Sequence, residues 1–311
     1  MNNETTKLSN TRMIEWLSSN DASLQKQAAD AANSYVRVKA REDGILRNIL
    51  QPVPVTQSDL DRQYGIEQPV MIFEKEPDTG HAVTVPFGGD VESRELSGDE
   101  FMVVFDTIRT HKKYKSKFEL MNYRYDLRSI LTDLDTKEIL EREDLRFFST
   151  VDKWLGAAGA THTDAGGVAL HQNVYGGLTA ETMVDMLQIM PRASARFETA
   201  TIVMNNILSK ELLSWDADEV GPDFKQEVVV NGWGETKLFG RRLLVTNKRD
   251  IVGDDEVYMF AEPDTLGKFC VLQDVTIYPK AEEEMIQWHA LECIGLSIAQ
   301  RTGMAKATIA Q

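Results

Sequence analysis

Alternation of apolar and polar residues is clearest late in the chain. From Met285 onward, Ile286, Trp288, Ala290, Ile294, Leu296 and Ile298 recur at period two, and Glu292 is the one exception on that face. This spacing predicts one long strand, with a helix as the rival reading. Shorter runs read as strands too: PVMIFE, HAVTVPF, FMVVFDTI, TIVM, FGRRLLVT, EVYMFAE and VLQDVTIYP. Between the first three lie a turn, EPDTG, and a polar tract, GGDVESRELSGDE. Extended runs joined by a polar tip predict a long hairpin over residues 66–120, continuing as strand into FELMNYRY. The hairpin has little apolar surface for its length, so it is expected to pack on another domain or subunit.

Helical spacing is strongest over residues 136–155. Leu140, Phe147, Val151 and Trp154 recur there, flanked by Phe148 and Leu155. Asp135 and Glu138 have capping-box spacing at its start, and Gly156 and Gly159 end it. Such a helix is about 30 Å long. Thr179 is placed to cap AETMVDMLQIM, which stops at Pro191, and Asn205 or Asn206 to cap ILSKELLSW. Residues 156–178 read as loop. Residues 1–62 are polar and helix-prone, with too few apolar residues for their own core, and Pro52 and Pro54 favour an extended path. They read as an arm lying on something else.

The chain has 311 residues, 42% hydrophobic and 27% charged, which suffices for a sizeable core. No stretch approaches the roughly 18 apolar residues of a membrane span, and the polar N-terminus is no secretory signal. A cytosolic protein is expected. Cys270 and Cys293, in apolar surroundings, read as buried free thiols. A net charge of −15 argues against a dedicated DNA binder.

Chemical motifs do not appear. There is no Walker phosphate loop, no G-x-G-x-x-G after a strand, no G-x-S-x-G elbow, no H-E-x-x-H and no zinc-spaced cysteine pair. His162, Asp164 and His171 could contribute to a metal site or a hydrolase centre, but exposed loop residues are the better reading. Asp254, Asp255 and Glu256 read as a solvated turn, the Glu282, Glu283, Glu284 run as wet surface, and the Met-rich helix 183–190 as core. No cofactor, metal or catalytic residue is expected. A large chain without chemistry, carrying an arm and a long hairpin, points to assembly.

The order of these parts resembles the major capsid proteins of tailed bacteriophages, the Hong Kong 97-type fold. Three stretches carry the likeness: TIVMNNILSKELL, LFGRRLLVTNKRDIVGDDEVYMFAEP and VTIYPKAEEEMIQWHALECIGLSIAQRTGMAKATI. The resemblance implies an α+β chain with an N-terminal arm at 1–62 and an extended hairpin loop with return strand at 66–120. A peripheral domain at 121–178 holds a spine helix at 136–155. An axial domain at 179–258 and a return to the peripheral domain at 259–311 complete it. The implied function is a shell subunit, forming hexamers and pentamers around double-stranded DNA, with the virion as location and the host cytoplasm as the place of assembly. The DNA is contacted weakly and non-specifically. Portal, scaffolding and decoration proteins are the implied further partners; no membrane is involved. An encapsulin-type compartment of the same fold is the alternative, and an α+β hydrolase a lesser one. With only about 60 residues before the hairpin, the long removable scaffolding segment of the type member is not expected. A separate scaffold, or assembly without one, is implied, and the type member's Lys–Asn cross-link does not carry over.

One stretch stands out against the acidic balance. RTHKKYKSK, residues 109–117, holds five Lys/Arg and one His in nine residues. Strand alternation would put Arg109, His111, Lys113, Lys115 and Lys117 on one face, and Lys112, Tyr114 and Ser116 on the other. A solvated strand face is one reading; the other is an intersubunit ion-pair strip, with Asp90, Glu92, Glu95, Asp99 or Glu100 of a neighbouring copy as partners, fixing register more than affinity.

Overall fold

The computed structural model describes residues 15–16, 44–62, 67–74, 84–85, 87, 100–121, 127–215 and 237–310. Most of the arm, most of the second hairpin run and the acidic tract with Asp90, Glu92, Glu95 and Asp99 lie outside these residues, and the described part of that run, 84–85 and 87, forms no strand. Among the described residues the frame is one long helix and two sheets, each of six strands.

The first sheet is built mostly from two long strands, β10 (Gly267–Glu282) and β11 (Met285–Ile298), paired as a hairpin. β11 is therefore a strand, as its period-two spacing requires. Beside it lies β3 (Glu100–Arg109), then β2 (Val70–Glu74), paired antiparallel from Val70 opposite Val104 to Glu74 opposite Glu100. This pair is the base of the expected hairpin. β4 (Lys113–Ser116) also pairs with β11. At the other edge, β1 (Pro52–Pro54) runs parallel to β10. Proline lacks an amide donor, so a Pro-Val-Pro strand can sit only at such an edge. The FELMNYRY segment is not a strand at its start: Lys117–Met121 forms a short helix, and residues 122–126 lie outside the described chain.

The second sheet has the order β5 (His171–Tyr175), β12 (Met304–Ala310), β9 (Glu256–Phe260), β6 (Thr201–Asn205), β8 (Arg241–Thr246) and β7 (Lys237–Leu238). β6 is buried at all five positions, and the Asn205 side chain caps the next turn by accepting from Ile207 N. Thr179 caps Ala180–Leu187 by accepting from Thr182 N. Pro191 does not stop this region. It sits inside a second short turn, Ile189–Arg192, where a missing amide hydrogen costs nothing. Met183, Met186, Met190, Met204 and Met259 fill the core of this sheet. The 259–311 return divides between the sheets: β10 and β11 join the first, while β12 lies between β5 and β9 of the second.

The spine helix runs Leu127–Leu155, 29 residues and about 44 Å. It begins nine residues before position 136, because no Gly or Pro interrupts the run from 127. Asp135 therefore caps nothing. It lies within the helix, fully buried. Ile139, Leu140, Glu143, Asp144, Phe147, Phe148, Val151 and Leu155 form the buried stripe, while Trp154 is exposed and lies against Arg301, 5.5 Å from its ring centre. Phe147 and Phe148 pack on Tyr258 and Phe260 of β9, and the same cluster takes in Phe269 of β10 and Ile294 of β11. One helix thus joins both sheets. Gly156, at φ +70°, ends it and donates to Asp152 O.

Residues 44–50 belong to this core rather than lying loosely upon it. Leu46, Ile49 and Leu50, in and just after the short helix Ile45–Ile49, join the cluster around Phe147. Asp144 accepts from Leu46 N at 2.8 Å and pairs with Lys248 at 2.6 Å. Arg47 reaches three carboxylates. Its Nε and Nη2 donate to Glu143 at 3.1 and 2.9 Å, its Nη1 to Asp274 at 3.1 Å, and its Nη2 also to Glu292. Register shifts in β10 near Gln273 mark a bulge, and Asp274 sits in it.

Cys270 is buried and Cys293 partly so, both free. Burial pushes the Cys270 thiol up to about 11. Close approach explains one glycine. A Cβ on Gly267 would lie 2.3 Å from the backbone oxygen of Ser297, which cannot yield without breaking the β10–β11 pairing. Gly267→Ala is expected to cost about 3 kcal/mol, read as a lowered urea midpoint with the slope unchanged. A midpoint equal to wild type would contradict this packing.

Candidate assembly surface

The basic stretch is not one strand. β3 stops at Arg109, residues 110–112 form no strand, β4 takes 113–116, and Lys117 opens a helix. Arg109 stands opposite Leu291 and Lys113 opposite Trp288. β11 advances three residues over that interval while the basic stretch advances four. The one extra residue inverts the alternation, so Arg109 and Lys113 point to opposite faces of the sheet.

Lys113 and Lys115 share the face of Ile286 and Trp288, which packs on the spine helix through Ile139 and Leu140. Lys113 Nζ lies 2.6 Å from Asp135 Oδ1 and 2.7 Å from Glu138 Oε1. Burial pushes the Asp135 carboxyl above its ordinary range, and Lys113 pulls it the other way. Burial opposes the charge on Lys113, but its hydrogen bonds to Asp135 and Glu138 outweigh that and raise its pKa. Lys113 thus holds the return strand to its own spine helix. Lys115 is partly buried on the same face. Among the expected acids, Glu100 is exposed on β3 and stands directly opposite Glu74. Two like charges on one rung repel, which leaves this rung short of a cation.

Arg109 faces outward, beside a groove of about 850 Å³ between β3 and the spine helix. The groove is lined by Arg109, His111, Arg142 and Arg146, with Asp106 and Glu138 as its acids. Arg146 pairs with Asp106 at 2.5 Å. The other lining cations, Arg109 and Arg142, make no ion pair with a described residue. The sheet face turned away from the spine helix carries Tyr114, 68% exposed, Met285, 45% exposed, and Tyr278, 43% exposed and stacked on His289. Phe118, in the helix after β4, is 66% exposed. A basic groove and an apolar sheet face therefore sit at the same end of the first sheet. Aromatic and Met side chains with cations at the margin are the composition of a protein-binding surface.

The residues that could have carried chemistry have other tasks. His162 Nε2 donates to Leu155 O and His171 Nδ1 to Gly156 O, each at 2.9 Å. They satisfy carbonyls at the end of the spine helix. His171 Nε2 then accepts from Thr308 Oγ1 at 3.0 Å. Glu256 pairs with Lys306 at 2.7 Å, and Asp254 with Arg249 at 3.5 Å. Among the described residues, no group of three or more His, Cys, Asp or Glu is placed to hold a metal ion.

The Arg47 network was missed in the sequence, though each member left a mark. Glu292 is the exception on the apolar face of β11, Glu143 and Asp144 interrupt the apolar stripe of the spine helix, and Arg47 lies inside the apolar run ILRNIL.

No protein-family model and no curated protein matches the chain. Solved structures do match. The capsid of cyanophage P-SCSP1u is 10% identical, with 87% of this chain and 89% of that one covered at a TM-score of 0.60. The capsid of a native GTA particle is 14% identical, with 86% and 90% covered at 0.57. A virus-like particle from Pyrococcus furiosus is 15% identical, with 89% and 98% covered at 0.51. The spine helix joining two sheets, the hairpin base and the docked arm segment are together the α+β, Hong Kong 97-type fold of phage capsid shells.

Proposed function

We propose that this chain is a major capsid subunit that assembles into an icosahedral shell around double-stranded DNA. The observation that carries the proposal is the end-to-end match with a phage capsid, 87% of this chain against 89% of that one. The virion is then its location. Portal and scaffolding proteins are its further partners, and decoration proteins fit the same reading. The net charge of −15 fits a wall that does not hold phosphates by counterion release. A protein compartment of the same fold is the second reading, favoured by the coverage of 98% of the Pyrococcus furiosus virus-like particle. The hydrolase reading rested on His162 and His171, and both of these are bonded to helix-end carbonyls.

Contacts between copies fall to the groups left outside the monomer's own bonding. Arg109 is the strongest of the basic candidates, followed by Lys117; Lys115 lies on the inward face. Their partners are the neighbour's Asp90, Glu92, Glu95, Asp99 and Glu100. Each such pair is weak, but many per subunit act together. The exposed Tyr114, Phe118 and Met285 supply the apolar burial that offsets repulsion between acidic copies.

Three outcomes are expected. Purified protein, with its scaffold where one is needed, forms closed shells by electron microscopy; a stable small species with turnover on a substrate would overturn the capsid reading. Arg109→Glu with Lys117→Glu leaves thermal unfolding of the monomer within a few degrees of wild type but reduces shell yield at least about tenfold; normal shells would remove these residues from the interface. Lys113→Glu acts on the monomer instead, because it faces buried Asp135 with a second carboxylate. It is expected to lower monomer stability by about 3 kcal/mol in urea unfolding, and an unchanged monomer would contradict the intrachain anchor.

A further inference from the structure

The Arg47 network contains more acid than base. Three carboxyl groups surround one guanidinium: Glu143 from the spine helix, Asp274 from the β10 bulge and Glu292 from β11. Among the described residues, no other titratable group faces Glu292. β3 presents Ile108 opposite it, and the adjacent Asp144 is neutralised by Lys248. Glu143 and Glu292 are fully buried, and Arg47 is 7% exposed. Glu143 Oε1 and Glu292 Oε1 both accept from the same nitrogen, Arg47 Nη2. Glu292 Oε2 is buried without a hydrogen-bond partner.

With all three acids ionised, the cluster would carry a net charge of −2 in a site closed to water. Burying one uncompensated carboxylate is costly, and a buried acid beside another relieves that cost by taking a proton. Asp274 is partly open to solvent, with 24% of its side chain exposed, so its charge is screened. The excess therefore falls on Glu143 and Glu292.

We propose that Glu143 and Glu292 share one bound proton beneath Arg47, and that this proton stabilises the folded junction of the spine helix, the first sheet and the Arg47 segment. The proton resides on Glu292, which can donate to Glu143, while Glu143 keeps its two bonds to Arg47. Burial and the nearby Glu143 push the Glu292 carboxyl up to about 11, in accord with this geometry.

The sign follows from linkage. Glu292 binds its proton more tightly in the folded protein than in the unfolded chain, where a Glu titrates near about 4.3. The stabilisation of the folded state by this proton is then complete below that value and is lost as pH rises toward about 11, by at most tenfold per pH unit in the folding equilibrium. Salt-bridged carboxylates behave the opposite way, losing stability on acidification.

Urea unfolding of the full-length protein reads this stabilisation directly. Glu292→Gln retains a neutral donor and removes the titration. Comparing the two proteins at each pH cancels the pH dependence of every other group. Between about pH 6 and about pH 9, the unfolding equilibrium constant of the wild type relative to Glu292→Gln is expected to rise up to about tenfold per unit. A constant ratio would show an ionised Glu292 and overturn the proposal. Infrared difference spectra keep the test decisive if the variant fails to fold. At neutral pH the wild type should show a protonated-carboxyl band that disappears only in strong alkali. Absence of that band overturns the proposal too. Loss of shell assembly with the proton intact would reject the capsid reading while leaving this one standing.

Discussion

One guanidinium holds the monomer together at the point where its parts meet. Arg47 comes from the segment before the hairpin, Glu143 from the spine helix, Asp274 and Glu292 from the two long strands. Remove the cation, and three carboxyl groups from separate elements are left facing one another. A buried pair of this kind adds little net stability compared with an apolar substitute, but losing one partner is severe. Its value is in specification. Arg47 fixes where the docked segment sits, which turn of the helix lies against β11, and how the bulge in β10 is aimed.

Apolar packing does the rest around that fixed point. The spine helix offers Ile139 and Leu140 to the far end of the first sheet and Phe147, Phe148 and Val151 to the junction with the second. Lys113 provides a second polar clamp, near the outer end of the same helix. Between the two clamps the helix cannot slide or rotate without stranding a buried acid, either Asp135 or Glu143. The exposed groove and sheet face are consequently presented by a stiff platform.

Much of this fold could be read from the sequence. The period-two run gave β11, and the capped segments at Thr179 and Asn205 start where their side chains bond. What could not be read has common physical origins. Asp135 and Glu138 have the spacing of a helix start, yet the same spacing arises inside a charged helix, and only tertiary pairing with Lys113 distinguishes the two. The face assignment at 109–117 failed because a single unpaired residue inverts the phase, and nothing in RTHKKYKSK marks it. Glu292, Glu143 and Arg47 each looked like a local irregularity. Their complementarity spans residues 47 to 292 and exists only once the chain has folded.

The placement of β12 bears on when that folding can happen. It is the last strand in chain order, yet it is internal in its sheet, hydrogen-bonded to β5 on one side and β9 on the other. Until residue 310 has left the ribosome, β9 has an open edge and β5 has no partner. Strands 171–175 and 256–260 wait for a segment made after both. Partial chains therefore lack a finished second sheet, and with it a finished junction to the spine helix. The second sheet therefore closes only once β12 is in place, and a copy lacking residues 304–310 would expose an unpaired edge instead of a surface fit to join others.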